Sequence, residues 1–264
     1  MDRVMIRGIT GKMGQETART VINMPNFKLV AGLASEEREE SLADILQEDK
    51  APDIRVATDM TRVVEEKKPD IMIDFTGPEK LFSALKQALN LNLDLIVGST
   101  GLSVQEKKAL KTLTKEKGSA LFIIPNFAIG AVLMMKFAKE ASKYLSRAEI
   151  IEAHGEAKAD APSGTSLATA EGMKGSEGYS KEEDLTLTLP GVRGGRKEGV
   201  NIHSIRLPGV VARQEVIFGA EGQTLTITHN SLSRKSFMPG VELALEKITE
   251  RRGFVTSLEE LLGE

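Results

Sequence analysis

Residues 3–23 read RVMIRGITGKMGQETARTVIN, a short apolar run followed by three regularly spaced glycines and an amphipathic segment. The run RVMIRG (3–8) is typical of a buried strand, and the apolar spacing over 11–23 is typical of a helix. Gly8, Gly11 and Gly14 fall where the strand turns into the helix. The stretch therefore predicts the strand–turn–helix unit that opens a nucleotide-binding α/β domain.

The same alternation continues to residue 126. Further strand-like runs are KLVAGLA (28–34), DIRVAT (53–58), DIMIDFT (70–76), LDLIVGST (93–100) and ALFIIPN (120–126). Helical patterns lie between them at 59–67, 77–90 and 103–117, with Asp59 and Ser103 as expected helix starts. Alternating strands and helices predict a doubly wound parallel sheet of the Rossmann type over residues 1–126.

After Asn126 the pattern changes to that of an α+β domain. It predicts a helix over 130–146, a strand over 148–153, a helix over 162–174 and a loop over 190–200. Antiparallel strands are expected at 203–207, 213–219 and 223–231. We therefore expect a second domain over 127–237, and helices over 238–264 that pack back on the first domain.

Composition narrows the class of protein. The 264 residues suffice for two domains, and no apolar run approaches the ~20 residues of a membrane span. The start of the chain has no apolar signal region, so we expect a cytoplasmic protein. With no cysteine, disulfides, thiolate catalysis and cysteine-bound metal are excluded. A net charge of -3 without a basic stripe argues against nucleic acid as a partner.

The glycine turn indicates a dinucleotide. Glycines let the backbone approach a pyrophosphate, whose charge is met by N–H groups at the helix start. An ordinary tight turn is the alternative. The acidic residue that usually binds the ribose of NAD is missing, since Ala34 and Ser35 stand there with Arg38 beyond. This weakly favours NADPH over NADH, while the alternative is a solvated loop and binding of both cofactors.

Three more strand ends would share the carboxyl edge of the sheet, where ligands bind in such folds. They are FTGP (75–78), GSTG (98–101) and PNF (125–127), each of which alone is typical of an ordinary turn. Together they predict that the nicotinamide side of the site is lined by Phe75, Gly98, Thr100, Asn126 and Phe127.

A second candidate site lies in EIIEAHGEAKADAPSGTSLATAEGM (149–173). His154 ends a predicted strand, Lys158 follows, and PSGT opens a helix whose N-terminus can bind an anion. A structural histidine, a solvated lysine and an ordinary capped helix are the alternatives. Jointly the residues fit reduction of a polarised double bond that bears carboxylates, with the helix end holding a carboxylate and His154 or Lys158 supplying a proton.

The other basic residues favour structural roles. His203 and His229 alternate with apolar residues and are expected to be half-buried strand residues. Arg193, Arg196 and Lys197 form either a basic loop over an anionic substrate or a solvated loop, and we favour the second.

These motifs occur in a fixed order with HSIRLPG (203–209) and HNSLSRKSFMPG (229–240). Over essentially its whole length the chain resembles the 4-hydroxy-tetrahydrodipicolinate reductase (dihydrodipicolinate reductase) family. The resemblance implies a Rossmann domain completed by C-terminal helices, a substrate domain that builds a homotetramer through its sheet, and NADH or NADPH as cofactor. It also implies reduction of 4-hydroxy-tetrahydrodipicolinate, or its dehydrated form, in diaminopimelate and lysine biosynthesis.

The resemblance also assigns residues. The pyrophosphate would be held by Gly8, Ile9, Thr10, Gly11, Lys12 and Met13, and the nicotinamide half by Gly98, Ser99, Thr100, Ile124, Pro125, Asn126 and Phe127. Ser35 and Phe75 complete the expected cofactor site. His154 and Lys158 would be catalytic, and Gly164 and Thr165 would anchor a substrate carboxylate. Gly155 stands where the family usually has a second histidine that binds substrate, so weaker substrate binding is expected.

Three hypotheses remain open from the sequence. The chain is an active reductase of this cyclic dicarboxylate, an imine reductase or dehydrogenase for another small dicarboxylate, or a non-catalytic nucleotide-binding relative. The presence of His154, Lys158 and the SGT sequence argues against the third.

Overall fold

A computed structural model describes residues 1–38, 40–48, 50–173 and 186–263. The chain divides into unit 1, Met1–Phe127 with Phe237–Glu264, and unit 2, Ala128–Ser236. Within the described residues, no helix is long and apolar enough to cross a membrane.

Unit 1 is built on a parallel sheet of six strands. In chain order these are β1 (Asp2–Arg7), β2 (Phe27–Leu33), β3 (Ile71–Asp74), β4 (Asp94–Val97), β5 (Ala120–Ile123) and β11 (Gly253–Val255). Their order across the sheet is β11-β5-β4-β3-β1-β2, and every neighbouring pair is parallel. The predicted Rossmann-type fold class is therefore confirmed.

Helices connect these strands much as predicted. They are α1 (Lys12–Asn23), α2 (Leu42–Leu46), α3 (Met60–Lys67), α4 (Leu81–Asn90), α5 (Val104–Lys117), α8 (Met238–Glu250) and α9 (Glu259–Leu262). Asp59 caps α3 by accepting from the amides of Thr61 and Arg62, and Ser103 forms a capping box with Glu106 at α5. The helix starts inferred from Asp59 and Ser103 are therefore confirmed.

Two predictions in unit 1 are wrong. The segment 53–58 forms no strand. It meets the sheet at one bridge, Ala57 to Leu33, and Arg55 forms a second bridge to Ser41 outside the sheet. Val56 is the only buried residue of this run, and Ile54 and Ala57 are half-buried, so the segment lacks the fully buried character of the neighbouring strands. The predicted helix of the tail ends at Glu250, and Gly253, with a left-handed φ of 99°, opens strand β11 beside β5.

Unit 2 contains a mixed sheet. Its strands are β6 (Arg147–His154), β7 (Gly195–Lys197), β8 (Val200–Arg206), β9 (Ala212–Ala220) and β10 (Gln223–Ser231), in the order β10-β9-β6-β8-β7. Helices α6 (Ile129–Ala141) and α7 (Gly164–Gly172) belong to this unit, and a core that includes Met134, Ala170, Ile150 and Phe218 covers one face of the sheet.

The structure corrects three predictions for unit 2. Strand β8 was expected to be antiparallel, but it runs parallel to β6 because the connection carries the crossover helix α7. Part of the expected loop at 190–200 is strand β7, antiparallel to β8. The predicted helix over 130–146 ends at Ala141. The helix predicted over 162–174 spans Gly164–Gly172, and its last predicted residue, 174, lies outside the described residues.

Candidate active site

The turn from β1 into α1 requires glycine. Gly8 has a φ of 85°, and its amide donates to the carbonyl of Leu33 at 2.9 Å. The Gly11 amide donates back to the Gly8 carbonyl at 3.0 Å. A Cβ on Gly14 would lie 2.1 Å from that same carbonyl oxygen. A side chain at 14 would therefore force the turn apart.

Gly11 is the N-cap of helix α1, and no side chain in the described part of the chain caps the helix. Gly11 and Lys12 are exposed, while Thr10 and Met13 are half-buried. The first-turn amides thus form an open cradle that fits a pyrophosphate. The Ile9 side chain is fully buried, so only its backbone can reach a ligand there.

The strand ends come together at one edge, as expected from their order. The Phe75 ring packs against Gly98, where a Cβ would lie 2.1 Å from the ring carbon Cε1. The Phe127 ring lies 5.5 Å from the Phe75 ring, centroid to centroid, at an interplanar angle of 58°. Ile124 and Phe127 are buried, whereas Thr100 and Pro125 are exposed. Asn126 is half-buried.

A buried carboxylate that sequence reasoning missed connects these loops. Asp74, at the end of β3, is fully buried and accepts from Arg7 Nη1 at 2.6 Å and from Ser99 Oγ at 2.5 Å. It also accepts from Thr76, through the amide at 3.1 Å and the hydroxyl at 2.9 Å. The Ser99 side chain is thus engaged in ordering the loop. The sequence feature that could have indicated it is a charged residue, Asp74, at the end of the apolar run DIMID (70–74).

The end of β2 is open. Ala34 is half-buried, and Ser35 and Arg38 are exposed. Arg38 forms an ion pair with Glu40 at 3.5 Å and lines a cavity of about 510 Å³ together with Arg55 and Arg62. Glu37, Asp53, Asp59 and Glu66 line the same cavity, so its charge is mixed.

In unit 2 the end of β6 carries a histidine, a glutamate and an arginine in contact. His154 Nδ1 lies 2.5 Å from Glu152 Oε2, and Glu152 is fully buried. Arg206, on the neighbouring β8, donates to Glu152 Oε2 at 3.0 Å and to Oε1 at 2.9 Å. Arg206 also donates to the Asp160 carbonyl at 2.7 Å. Sequence reasoning missed Glu152 and Arg206, although the spacing of Glu152 and His154 places both on one strand face.

Lys158 lies in the turn after β6. Its Nζ donates to both carboxylate oxygens of Asp160, at 2.7 and 2.8 Å, and its amide donates to the Gly155 carbonyl at 3.0 Å. The hydrogen bond from Lys158 lowers the pKa of the Asp160 carboxyl. Burial acts to raise the pKa of Glu152, but hydrogen bonds, led by that from Arg206, outweigh it and the pKa is lowered. Both carboxylates are therefore ionised near neutral pH.

Helix α7 is fixed to the sheet by buried polar side chains. Ser163 caps it by accepting from the Ser166 amide at 3.1 Å. Ser166 Oγ donates to Gln214 Oε1 on β9 at 2.8 Å, and Gln214 Nε2 donates to Thr169 Oγ1 at 2.8 Å. The helix start is thus held against strand β9 of the sheet.

The predicted carboxylate anchors lie in the first turn of α7, where Gly164 is exposed and Thr165 is half-buried. Gly155 is half-buried, and a Cβ there would lie 3.1 Å from the Val210 carbonyl oxygen. A side chain at 155 therefore needs a small shift of the Val210 backbone.

The other basic residues considered in the sequence lie in the strands and in the loop of unit 2. His203 and His229 are half-buried strand residues, as predicted. The favoured solvated role of Arg193 is wrong, because Arg193 pairs with Glu149, which also lies 2.8 Å from His203 Nε2. Lys197 pairs with Glu171 at 3.0 Å, and Arg196 is exposed.

Known proteins match this chain along nearly its whole length. Residues 2–127 match the family model of the dihydrodipicolinate reductase N-terminus, and residues 130–262 match that of its C-terminus. This chain belongs to the dihydrodipicolinate reductase family. The 4-hydroxy-tetrahydrodipicolinate reductases of Lysinibacillus sphaericus and Listeria innocua are each 43% identical to it, over 98% of this chain and 99% of each relative.

A solved member of the family has the same fold. Dipicolinate-bound dihydrodipicolinate reductase from Paenisporosarcina sp. TG-14 superposes with a TM-score of 0.85 at 38% identity, over 99% of this chain and 100% of that one. An amine dehydrogenase from Mycobacterium smegmatis, at 13% identity and a TM-score of 0.70, shares the fold alone. Family membership and the Rossmann-type sheet make the chain an NAD(P)H-dependent oxidoreductase.

Proposed function

We propose that this chain is a cytoplasmic enzyme that reduces 4-hydroxy-tetrahydrodipicolinate, or its dehydrated form, to tetrahydrodipicolinate in diaminopimelate and lysine biosynthesis. The observation that carries the proposal is the linked set of His154, Glu152, Arg206, Asp160 and Lys158 in unit 2. It combines proton donors with cations, as a reduction on an anionic substrate requires.

Unit 1 serves as the dinucleotide-binding domain in this proposal. The amides at the start of α1 hold the pyrophosphate, and the loops around Phe75, Gly98 and Asn126 hold the nicotinamide half. Bound NAD(P)H supplies the hydride. The buried Asp74 fixes the positions of these loops by accepting hydrogen bonds from Arg7, Thr76 and Ser99.

Unit 2 serves as the substrate domain. Gly164 and Thr165 at the start of α7 bind one carboxylate, because a helix N-terminus favours an anion. Lys158 provides a positive charge for the substrate. His154, whose Nδ1 is engaged by Glu152, donates the proton from Nε2. The solved relative from Paenisporosarcina is bound to dipicolinate, which supports a cyclic dicarboxylate as the ligand of this chain.

Cofactor choice and assembly are part of the proposal. We expect use of both NADPH and NADH with a small preference for NADPH, since no carboxylate stands at Ala34 or Ser35 to repel a 2′-phosphate. We expect a homotetramer formed through the sheet face of unit 2 opposite its core. Ile205 and Leu207, 39% and 51% exposed, fit such an interface.

The test is oxidation of NADPH with substrate generated in the cuvette from pyruvate and aspartate semialdehyde by the preceding synthase. Turnover that stops when either precursor or the synthase is omitted would support the proposal. Cofactor binding without turnover would favour a non-catalytic protein. Turnover confined to another small cyclic imine would favour the alternative reductase, for which Gly155 is the supporting observation.

A further inference from the structure

We infer that Glu152 is a positioning residue, which holds His154 in the tautomer with hydrogen on Nδ1 and so leaves Nε2 to exchange a proton with substrate. The inference rests on the proposed function for the role of His154. The tautomer itself follows from the contacts in unit 2 alone.

Strand geometry makes the contact rigid. Glu152 and His154 are two residues apart on β6, so both side chains project from the same face of the sheet. The Glu152 side chain has no exposed surface, and that of His154 is 18% exposed. The Nδ1 to Oε2 distance of 2.5 Å places the two atoms in direct hydrogen-bond contact.

The charge state of Glu152 decides the direction of this hydrogen bond. Arg206 donates to both of its carboxylate oxygens, in the two-pronged geometry that favours an ionised carboxylate. An ionised carboxylate can only accept hydrogen bonds. His154 Nδ1 must therefore be the donor, and Nε2 is the nitrogen that gains or loses a proton.

Arg206 also connects Glu152 with the loop that holds Lys158, the second catalytic candidate. Its Nη2 also donates to the Asp160 carbonyl, and the Asp160 carboxylate accepts both hydrogen bonds from Lys158 Nζ. One guanidinium therefore fixes the residue that orients His154 and the loop that orients Lys158. Replacing Arg206 would disturb both, so Glu152 offers the cleaner test.

The chain contains its own control. On the other face of β6, Glu149 contacts His203 Nε2 at 2.8 Å and also pairs with Arg193. This second glutamate, histidine and arginine set takes no part in the proposed hydride or proton transfer, although it lies on the sheet face proposed for tetramer formation. Glu149→Gln is therefore the matched control for Glu152→Gln.

The experiment is nitrogen-15 NMR of the imidazole rings in the ligand-free protein, joined to steady-state kinetics. With three histidines in the chain, the His154 signals can be assigned from a His154→Ala sample. We expect the Nδ1–H tautomer in the parent and its loss in Glu152→Gln, whose amide can donate to Nδ1. We also expect kcat to fall at least about tenfold in Glu152→Gln, with KM for NADPH little changed. Glu152→Asp, which keeps an acceptor-only group, should recover part of kcat, and Glu149→Gln should alter only the His203 signals.

An Nε2–H tautomer of His154 in the parent would overturn the inference, and this measurement needs no variant to fold. Full kcat in Glu152→Gln would overturn it as well. If His154→Ala kept its activity, the proposed function would fail, while the tautomer measured in the parent would still report on Glu152. The two failures are therefore distinguishable.

Discussion

The two helix N-termini proposed to bind anions are built differently. Helix α1 has Gly11 as its N-cap and no side-chain cap from the described residues, and close backbone contacts require glycine at 8 and 14. Helix α7 has Ser163 as its N-cap, whose hydroxyl caps the helix, and buried hydrogen bonds through Gln214 fix it to the sheet.

In the proposed function, the α1 region binds the cofactor and the α7 region takes part in the reaction. At α1 the backbone alone presents donors, which suits a pyrophosphate that every dinucleotide carries. Helix α7 follows His154 and Lys158 in the chain, and in the proposed reaction these two side chains bind the substrate and move a proton. Substitutions in the first region should therefore change cofactor affinity, and substitutions in the second should change kcat.

The largest expected effect is on kcat. His154→Ala and Lys158→Ala should each lower kcat by roughly two to four orders of magnitude, the range for a lost general acid. The double variant should be little worse than the poorer single, because residues that act as a unit are non-additive. NADPH affinity, measured by calorimetry, should stay within a factor of a few. A single variant that retained more than about a tenth of the parent rate would remove that residue from the catalytic set.

Gly11→Asp should change cofactor affinity instead of kcat. The φ of −76° and ψ of 158° at this position suit any residue, and aspartate is a good helix cap, so the protein should stay folded. Its carboxylate would occupy the first-turn amides and repel the pyrophosphate, which should raise the Kd for NADPH about a hundredfold or more. Gly11→Asn, with the same shape and no charge, separates repulsion from capping. Unchanged binding in Gly11→Asp would make the glycine turn purely structural.

Restoring the imidazole missing at 155 should strengthen substrate binding. Gly155→His should lower KM for the substrate by about tenfold, as one added charged hydrogen bond would. Gly155→Ala introduces the same Cβ near the Val210 carbonyl and serves as the steric control. Suppose that KM stays unchanged or rises in Gly155→His while Gly155→Ala leaves KM unchanged. The site would then be adapted to glycine and to another dicarboxylate.

The smallest expected difference is between cofactors. Ala34 offers no carboxylate to the ribose, and the exposed Arg38 is paired with Glu40. The Kd values for NADPH and NADH, measured by calorimetry, should therefore lie within about tenfold, or ~1.4 kcal/mol. A preference of about a thousandfold for either cofactor would show that residues 34–38 discriminate at the 2′ position after all.

Local sequence signals predicted the parts of the molecule that depend on local structure. The glycine turn, the caps at Asp59 and Ser103, and the strand ends at Phe75 and Gly98 all carry their information within a few residues. Their prediction therefore needed no knowledge of distant partners.

The missed features depend on distant partners. Strand β11 is three residues long and forms only because β5 lies beside it. The parallel direction of β8 depends on the crossover through α7. Glu152 could be recognised as an orienting residue only once Arg206, 54 residues away in sequence, was known to contact it.

The division between a cofactor-binding first region and a proton-transferring second region can be tested in a single turnover. NADPH that carries deuterium at the transferable position is supplied to the parent enzyme and to His154→Ala with freshly generated substrate. We predict tetrahydrodipicolinate with one deuterium from the parent. We predict the same labelled product from His154→Ala at a rate lower by roughly two to four orders of magnitude, with the cofactor still bound. Unlabelled product from the parent, or an undiminished rate in His154→Ala, would contradict this division.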